Sequence, residues 1–177
     1  SALNLKAESY GPGAANEDMA EVLDSLGYTC ATVGDHEAAV RTYEASLEMR
    51  QEFLGVHAVD YQMVDTLNSL GILHLRQGHY SEAQKCLSEA LGMNRHIYDA
   101  LEEEDDDVAV SADIAKILMN LGDVRLAGEA LEDAEKLYHE ALLELEMGGN
   151  MEDLVSELAA GIRSRLGDVA GQKGGAL

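Results

Sequence analysis

The chain has 177 residues, 46% of them hydrophobic, with a single proline, a single phenylalanine and no tryptophan. That suffices for one domain whose core is built from Leu, Ala, Val, Met and Tyr, and it argues against a disordered chain. Its formal charge of −22, from 34 acidic against 12 basic residues, repels nucleic acid and anionic membranes, so a basic or amphipathic partner fits better.

In chain order, the first stretch, ALNLKAESYG, matches SLEMRQEFLG at 46–55. Residues 1–11 therefore read as the end of a second helix from a preceding unit. They lack the charged and apolar regions of a signal peptide. A helical hairpin follows at 20–63, and a second at 64–114 repeats it with an offset of 44 residues and no gap. Val64, Leu67, Leu70, Leu73 and Leu75 recur near helical spacing. A turn at Gln77–Gly78–His79 leads to a second helix expected to start at Ser81 as N-cap, with Ala83, Leu87, Ala90 and Leu91 inward. A third hairpin at 115–150 comes after an offset of 51, and the excess corresponds to the acidic stretch 101–107. A capping helix is expected at 151–169, and 170–177, rich in glycine, is expected to fray. On this reading the chain is a segment of a longer array.

Leu26-Gly27, Leu70-Gly71 and Leu121-Gly122 mark the same place in each unit. Glycine in mid-helix costs about 1 kcal/mol relative to alanine, a cost that makes sense where a neighbouring helix comes close. Gly34 and Gly78 sit in the turns, with Gly128 one residue early in the third. Ala39, Ala83 and Ala134 follow, then Tyr43, Leu87 and Tyr138, then Ser46, Ala90 and Ala141. This pattern resembles the tetratricopeptide repeat. The longer second helices and the Leu54-Gly55-Val56-His57 segment are similar to the long-repeat branch of kinesin light chains and nephrocystin-like proteins. The resemblance implies an all-α, right-handed superhelical solenoid of helix–turn–helix hairpins.

By repeat position, the resemblance places Glu21, Asp24, Tyr28, Ala31 and Thr32 in a groove formed by the first helices. Asp65, Asn68, Ile72, Leu75 and Arg76 follow from the second unit, and Lys116, Met119, Asp123, Leu126 and Ala127 from the third. Asn68 is suited to pairing with an extended peptide backbone. Glu21 and Asp24 argue against a carboxylate clamp, and Asp24, Asp65 and Asp123 argue against a basic groove for acidic cargo; the expected groove is mixed apolar and acidic.

No catalytic residue, cofactor or metal site is expected. The run LEEEDDD lacks the spaced ligands and glycine of a calcium loop, and His74 and His79 lack the i, i+4 spacing of a zinc helix. Cys30 and Cys86 belong to no CxxC motif and suit a reducing, cytoplasmic setting. The reading is a protein–protein interaction scaffold or adaptor module holding a partner peptide or helix. Its alternatives are a regulatory or targeting domain of a larger enzyme and a self-assembling structural unit, in which fragments stack end to end.

Overall fold

Three turns fold the chain back on itself, and all three are built the same way. The computed structural model describes residues 12–55, 58–100, 107–147 and 152–175. Among these it has seven helices and no strand: α1 (Pro12–Val33), α2 (His36–Leu54), α3 (Tyr61–Arg76), α4 (Tyr80–Ala100), α5 (Asp107–Ala127), α6 (Leu131–Met147) and α7 (Glu152–Gly175). After α1, α3 and α5, a left-handed residue ends the helix: Gly34 (φ 86°), Gly78 (φ 77°) and Glu129 (φ 60°). The N–H groups of Asp35, His79 and Ala130 then donate to the carbonyls of Cys30, His74 and Arg125, each at 2.9 Å. These six-to-one bonds, with the five-to-two bonds inside them, form a Schellman motif at every turn. The third turn thus keeps its register. Its left-handed position is held by Glu129, and Gly128 is not the equivalent of Gly34 and Gly78.

The hairpins α1–α2, α3–α4 and α5–α6 stack in order, with α2 against α3, α4 against α5 and α6 against α7; α3 also touches α5, and α5 touches α7. Ala39, Ala83 and Ala134 are fully enclosed, as are Ala90 and Ala141, so the two helices of each hairpin approach closely. The mid-helix glycines make room for a particular side chain. A Cβ on Gly71 would lie 2.5 Å from Leu87 Cγ, and Gly27 and Gly122 stand in the same relation to Tyr43 and Tyr138. The close neighbour is the large residue of the second helix rather than its backbone.

Three expected boundaries shift. Helix α4 begins at Tyr80, so Ser81 lies inside its first turn and is not the N-cap; the capping side chains are Asp35 on α2 and Asp60 on α3, accepting from Ala38 and Met63 N–H at 3.0 and 3.1 Å. Asp107, expected in the acidic loop, begins α5. Helix α7 continues past 169 to Gly175, where Lys173 Nζ donates to Glu135 Oε2 of α6 at 2.7 Å. Residues 1–11 and 101–106 lie outside the described residues.

The two ends of the stack differ. Val22 and Leu26 on α1 are each 49% exposed, whereas their equivalents Thr66 and Leu70 on α3, and Ile117 and Leu121 on α5, are 6% exposed or less. On α7, Ile162 and Val169 are enclosed, while Arg163 stands exposed at the position of Leu67 and Leu118, which share apolar clusters with Leu87 and Tyr138 of their own second helices.

Candidate binding groove

Residues at i, i+4, i+7 and i+11 share one face of a helix. On α3 this stripe is Asp65, Ser69, Ile72 and Arg76; on α1 it is Glu21, Ser25, Tyr28 and Thr32; on α5 it is Lys116, Asn120, Asp123 and Ala127. The stripes border a line of clefts. The largest, about 390 Å³ between α1 and α3, is walled by Glu21, Asp24, Ser25, Asp65 and Ser69, with Tyr43 and Arg50 of α2 reaching it from behind. A second of about 120 Å³ continues toward the helix C-termini between Tyr28, Ala31, Ile72 and Arg76, sharing Tyr43 and Ser69 with the first. A third of about 160 Å³ lies between Asp65 and Asn68 of α3 and Asp113 and Lys116 of α5.

The structure divides the expected groove residues into three sets. Tyr28 (69% exposed), Asp65, Ile72 and Arg76 line clefts. Leu75, Met119 and Leu126 instead pack, half-buried, against the apolar clusters around Leu67 and Leu118. Asp24, Asp123 and Asn68 are engaged by the scaffold.

Asp24 Oδ2 accepts from Nη2 of Arg50 at 2.7 Å, and Thr66 Oγ1 lies 3.0 Å from its other oxygen. Arg50 is only 1% exposed, and Nη1 also lies 3.9 Å from the Asp60 capping carboxylate. Asp123 takes a two-pronged contact from Arg165 of α7, Nε at 2.6 Å and Nη2 at 2.9 Å, and also accepts from the Tyr138 hydroxyl at 2.7 Å. This planar pairing is the geometry guanidinium and carboxylate favour. Burial and the Asp123 contact push the Tyr138 phenol well above its ordinary range, and the Asp123 hydrogen bond raises Arg165. Asn68 Oδ1 accepts from Asn120 Nδ2 at 2.9 Å, a bridge between α3 and α5. The expected acidity is therefore corrected: two of the three groove aspartates have arginine partners. Asp65 has no ion-pair partner among the described residues. Its carboxyl is raised above the ordinary aspartate value because the cleft walls withdraw water from one side, and then because Asp113 faces it.

Sequence reasoning missed Ser25, Ser69, Arg50 and Arg165. The two serines were available from the helical wheel, since they sit four residues after Glu21 and Asp65. Arg50 also left a trace in the repeat register. Asp24 and Arg50 correspond to Asn68 and Asn94 in the second unit and to Met119 and Leu145 in the third. The two positions change polarity together.

Cys30 and Cys86 are half-buried free thiols beside the Ala39–Tyr43 cluster, and burial pushes the Cys86 thiol up, away from reactivity. His74 and His79 have ring centres 5.9 Å apart.

One model of the tetratricopeptide repeat family matches residues 18–96, and a second of the same description matches 68–149. The chain belongs to the tetratricopeptide repeat family. No curated protein sequence matches it. Among solved structures, the repeats are similar to BtubC (BKLC) from P. vanneervenii, with a TM-score of 0.66 at 22% identity over 86% of this chain. The chain spans 56% of that protein's length. The N-terminal domain of stress-induced protein-1 from C. elegans gives 0.56 at 18% identity, covering 81% of this chain and 94% of that one. The first repeat domain of Spaghetti, solved with the HSP90 peptide SRMEEVD, gives 0.55 at 16% identity, covering 85% and 95%. These likenesses establish a shared fold.

Proposed function

We propose that this tetratricopeptide domain is a non-catalytic protein-interaction module that holds an extended segment of a partner along the first-helix stripes of α1, α3 and α5. The observation that carries the reading is the pair of adjoining clefts between α1 and α3, which share Tyr43 and Ser69 and keep Tyr28, Asp65 and Arg76 unpaired by ions at their rims. The structural relative solved with an HSP90 peptide supports peptide binding as a use of this fold. Fold alone does not assign the ligand. Glu21 and Asp65, with the overall charge of −22, favour a partner segment that contributes a basic side chain at the α1–α3 cleft. Isothermal titration with otherwise matched lysine-bearing and glutamate-bearing peptides tests this. The lysine set is expected to bind more tightly, with Asp65→Asn erasing the difference. Tighter binding of the glutamate set sinks the proposed polarity, and no binding by either sinks the groove.

Membership of the long-repeat branch is part of the same proposal. It is supported by the 44-residue offset and by second helices of 19 and 21 residues in the first two units. A cytoplasmic site of action is proposed from the two free thiols.

A further inference from the structure

The α3 stripe carries two charges that the scaffold leaves unanswered. Asp65 stands at its N-terminal end and Arg76 at its C-terminal end, and among the described residues neither has an ion pair. Everything charged around them is either neutralised or of the same sign. At the Asp65 end, Asp24 is paired with Arg50 and Asp113 with Lys116 at 2.7 Å, while Glu21 adds a further negative charge. At the Arg76 end, the cleft is lined by Tyr28, Ala31, Tyr43, Ser69, Ile72 and Leu73, and no carboxylate lines it. Eleven positions of α-helix turn through three full circles with about 20° left over and rise roughly 16 Å, so the two charges face the same way at opposite ends of one trough. An extended chain advances roughly 3.3 Å per residue.

We infer that this trough is a charge-ordered site for an extended partner segment with a basic and an acidic side chain about four residues apart, an even spacing that turns both toward the trough, the basic one at Asp65 and the acidic one at Arg76. A small apolar residue between them lies over Ile72 and beside Tyr28. The inference rests on the groove reading and adds to it a second charge and a distance. Its consequence is selectivity against uniformly basic segments, whose far end meets the Arg76 guanidinium. Such repulsion discriminates as effectively as attraction.

The test uses the whole chain and synthetic peptides on an Ala/Ser background, monitored by fluorescence anisotropy. One set has Lys and Glu about four residues apart, in both chain orders; a second has them adjacent; a third has the Glu replaced by Gln; a fourth has Lys at both places. The better-ordered spaced peptide is expected to bind about three- to tenfold more tightly than the others. Arg76→Ala is expected to abolish only the advantage of Glu over Gln, and Asp65→Asn only the contribution of Lys. Equal binding of the spaced and adjacent peptides, or an Arg76→Ala variant that treats Glu and Gln as the wild type does, overturns the inference while leaving a groove that binds basic peptides. Failure of every peptide, the Lys–Gln one included, overturns both.

Discussion

Arg50 is enclosed on all sides, with the Asp24 carboxylate opposite it at 2.7 Å. Removing one partner of such a pair strands the other, at a cost of about 3 kcal/mol, whereas replacing both with apolar groups is often close to neutral. Arg50→Ala is therefore expected to lower unfolding free energy in urea by about 3 kcal/mol. The double change Asp24→Met with Arg50→Leu copies Met119 and Leu145 of the third repeat. It should return stability to within about 1 kcal/mol of the wild type, and a double variant no better than the single one would refute the register argument. Asp65 makes a different prediction. Its folded carboxyl is held above its unfolded value, so the folded state takes up the proton more readily. The stabilisation this gives is fully present below the unfolded value and is lost as pH rises through the raised one. Asp65→Asn should accordingly melt above the wild type at pH 7, with the gap closing on acidification; parallel melting curves across pH would show it. The identities and face of these groove residues were legible from repeat position. Which of them retain a free charge was not, because the arginine partners lie 26 and 42 residues away from Asp24 and Asp123 and no helical spacing relates them.

The elements repeat more faithfully in backbone than in side chain. Matching glycine to glycine put the third turn one residue off, whereas the Schellman bonds place Glu129 in the left-handed position. A non-glycine residue costs roughly 1–2 kcal/mol there, partly offset because glycine loses more freedom on folding. Glu129→Gly is therefore expected to stabilise the chain by about 1 kcal/mol and raise Tm by about 2–4 °C; calorimetry showing no gain would mean the turn is unstrained. Helix α7 is the opposite case. Its Gly-rich end has poor helix propensity, yet it is helical to Gly175 and touches α6 through Lys173. Propensity is readable along the chain, but an anchor supplied by another helix is not.

For the whole molecule, the 44-residue offset and the spacing of small and large residues were enough to read the stacked hairpins, since in a solenoid each unit touches only its neighbours. The same locality makes one position of the repeat carry different energies in different units. Leu70 is 2% exposed and Leu26 is 49% exposed, although they correspond in sequence. Leu70→Ala should cost about 3 kcal/mol and Leu26→Ala less than about 1 kcal/mol. Comparable losses from urea titration would mean that Leu26 is covered in solution.

The unequal ends also bear on how binding is felt by the fold. The α1–α2 hairpin has the least apolar support of the three, and it supplies one whole wall of the α1–α3 clefts. A partner lodged there would add contacts to α1 on the side that faces α3. Occupancy and local opening of that hairpin then become linked equilibria. Whatever tightens the hairpin raises affinity, and ligand in excess of its Kd slows hydrogen exchange in α1 before it does so in α5.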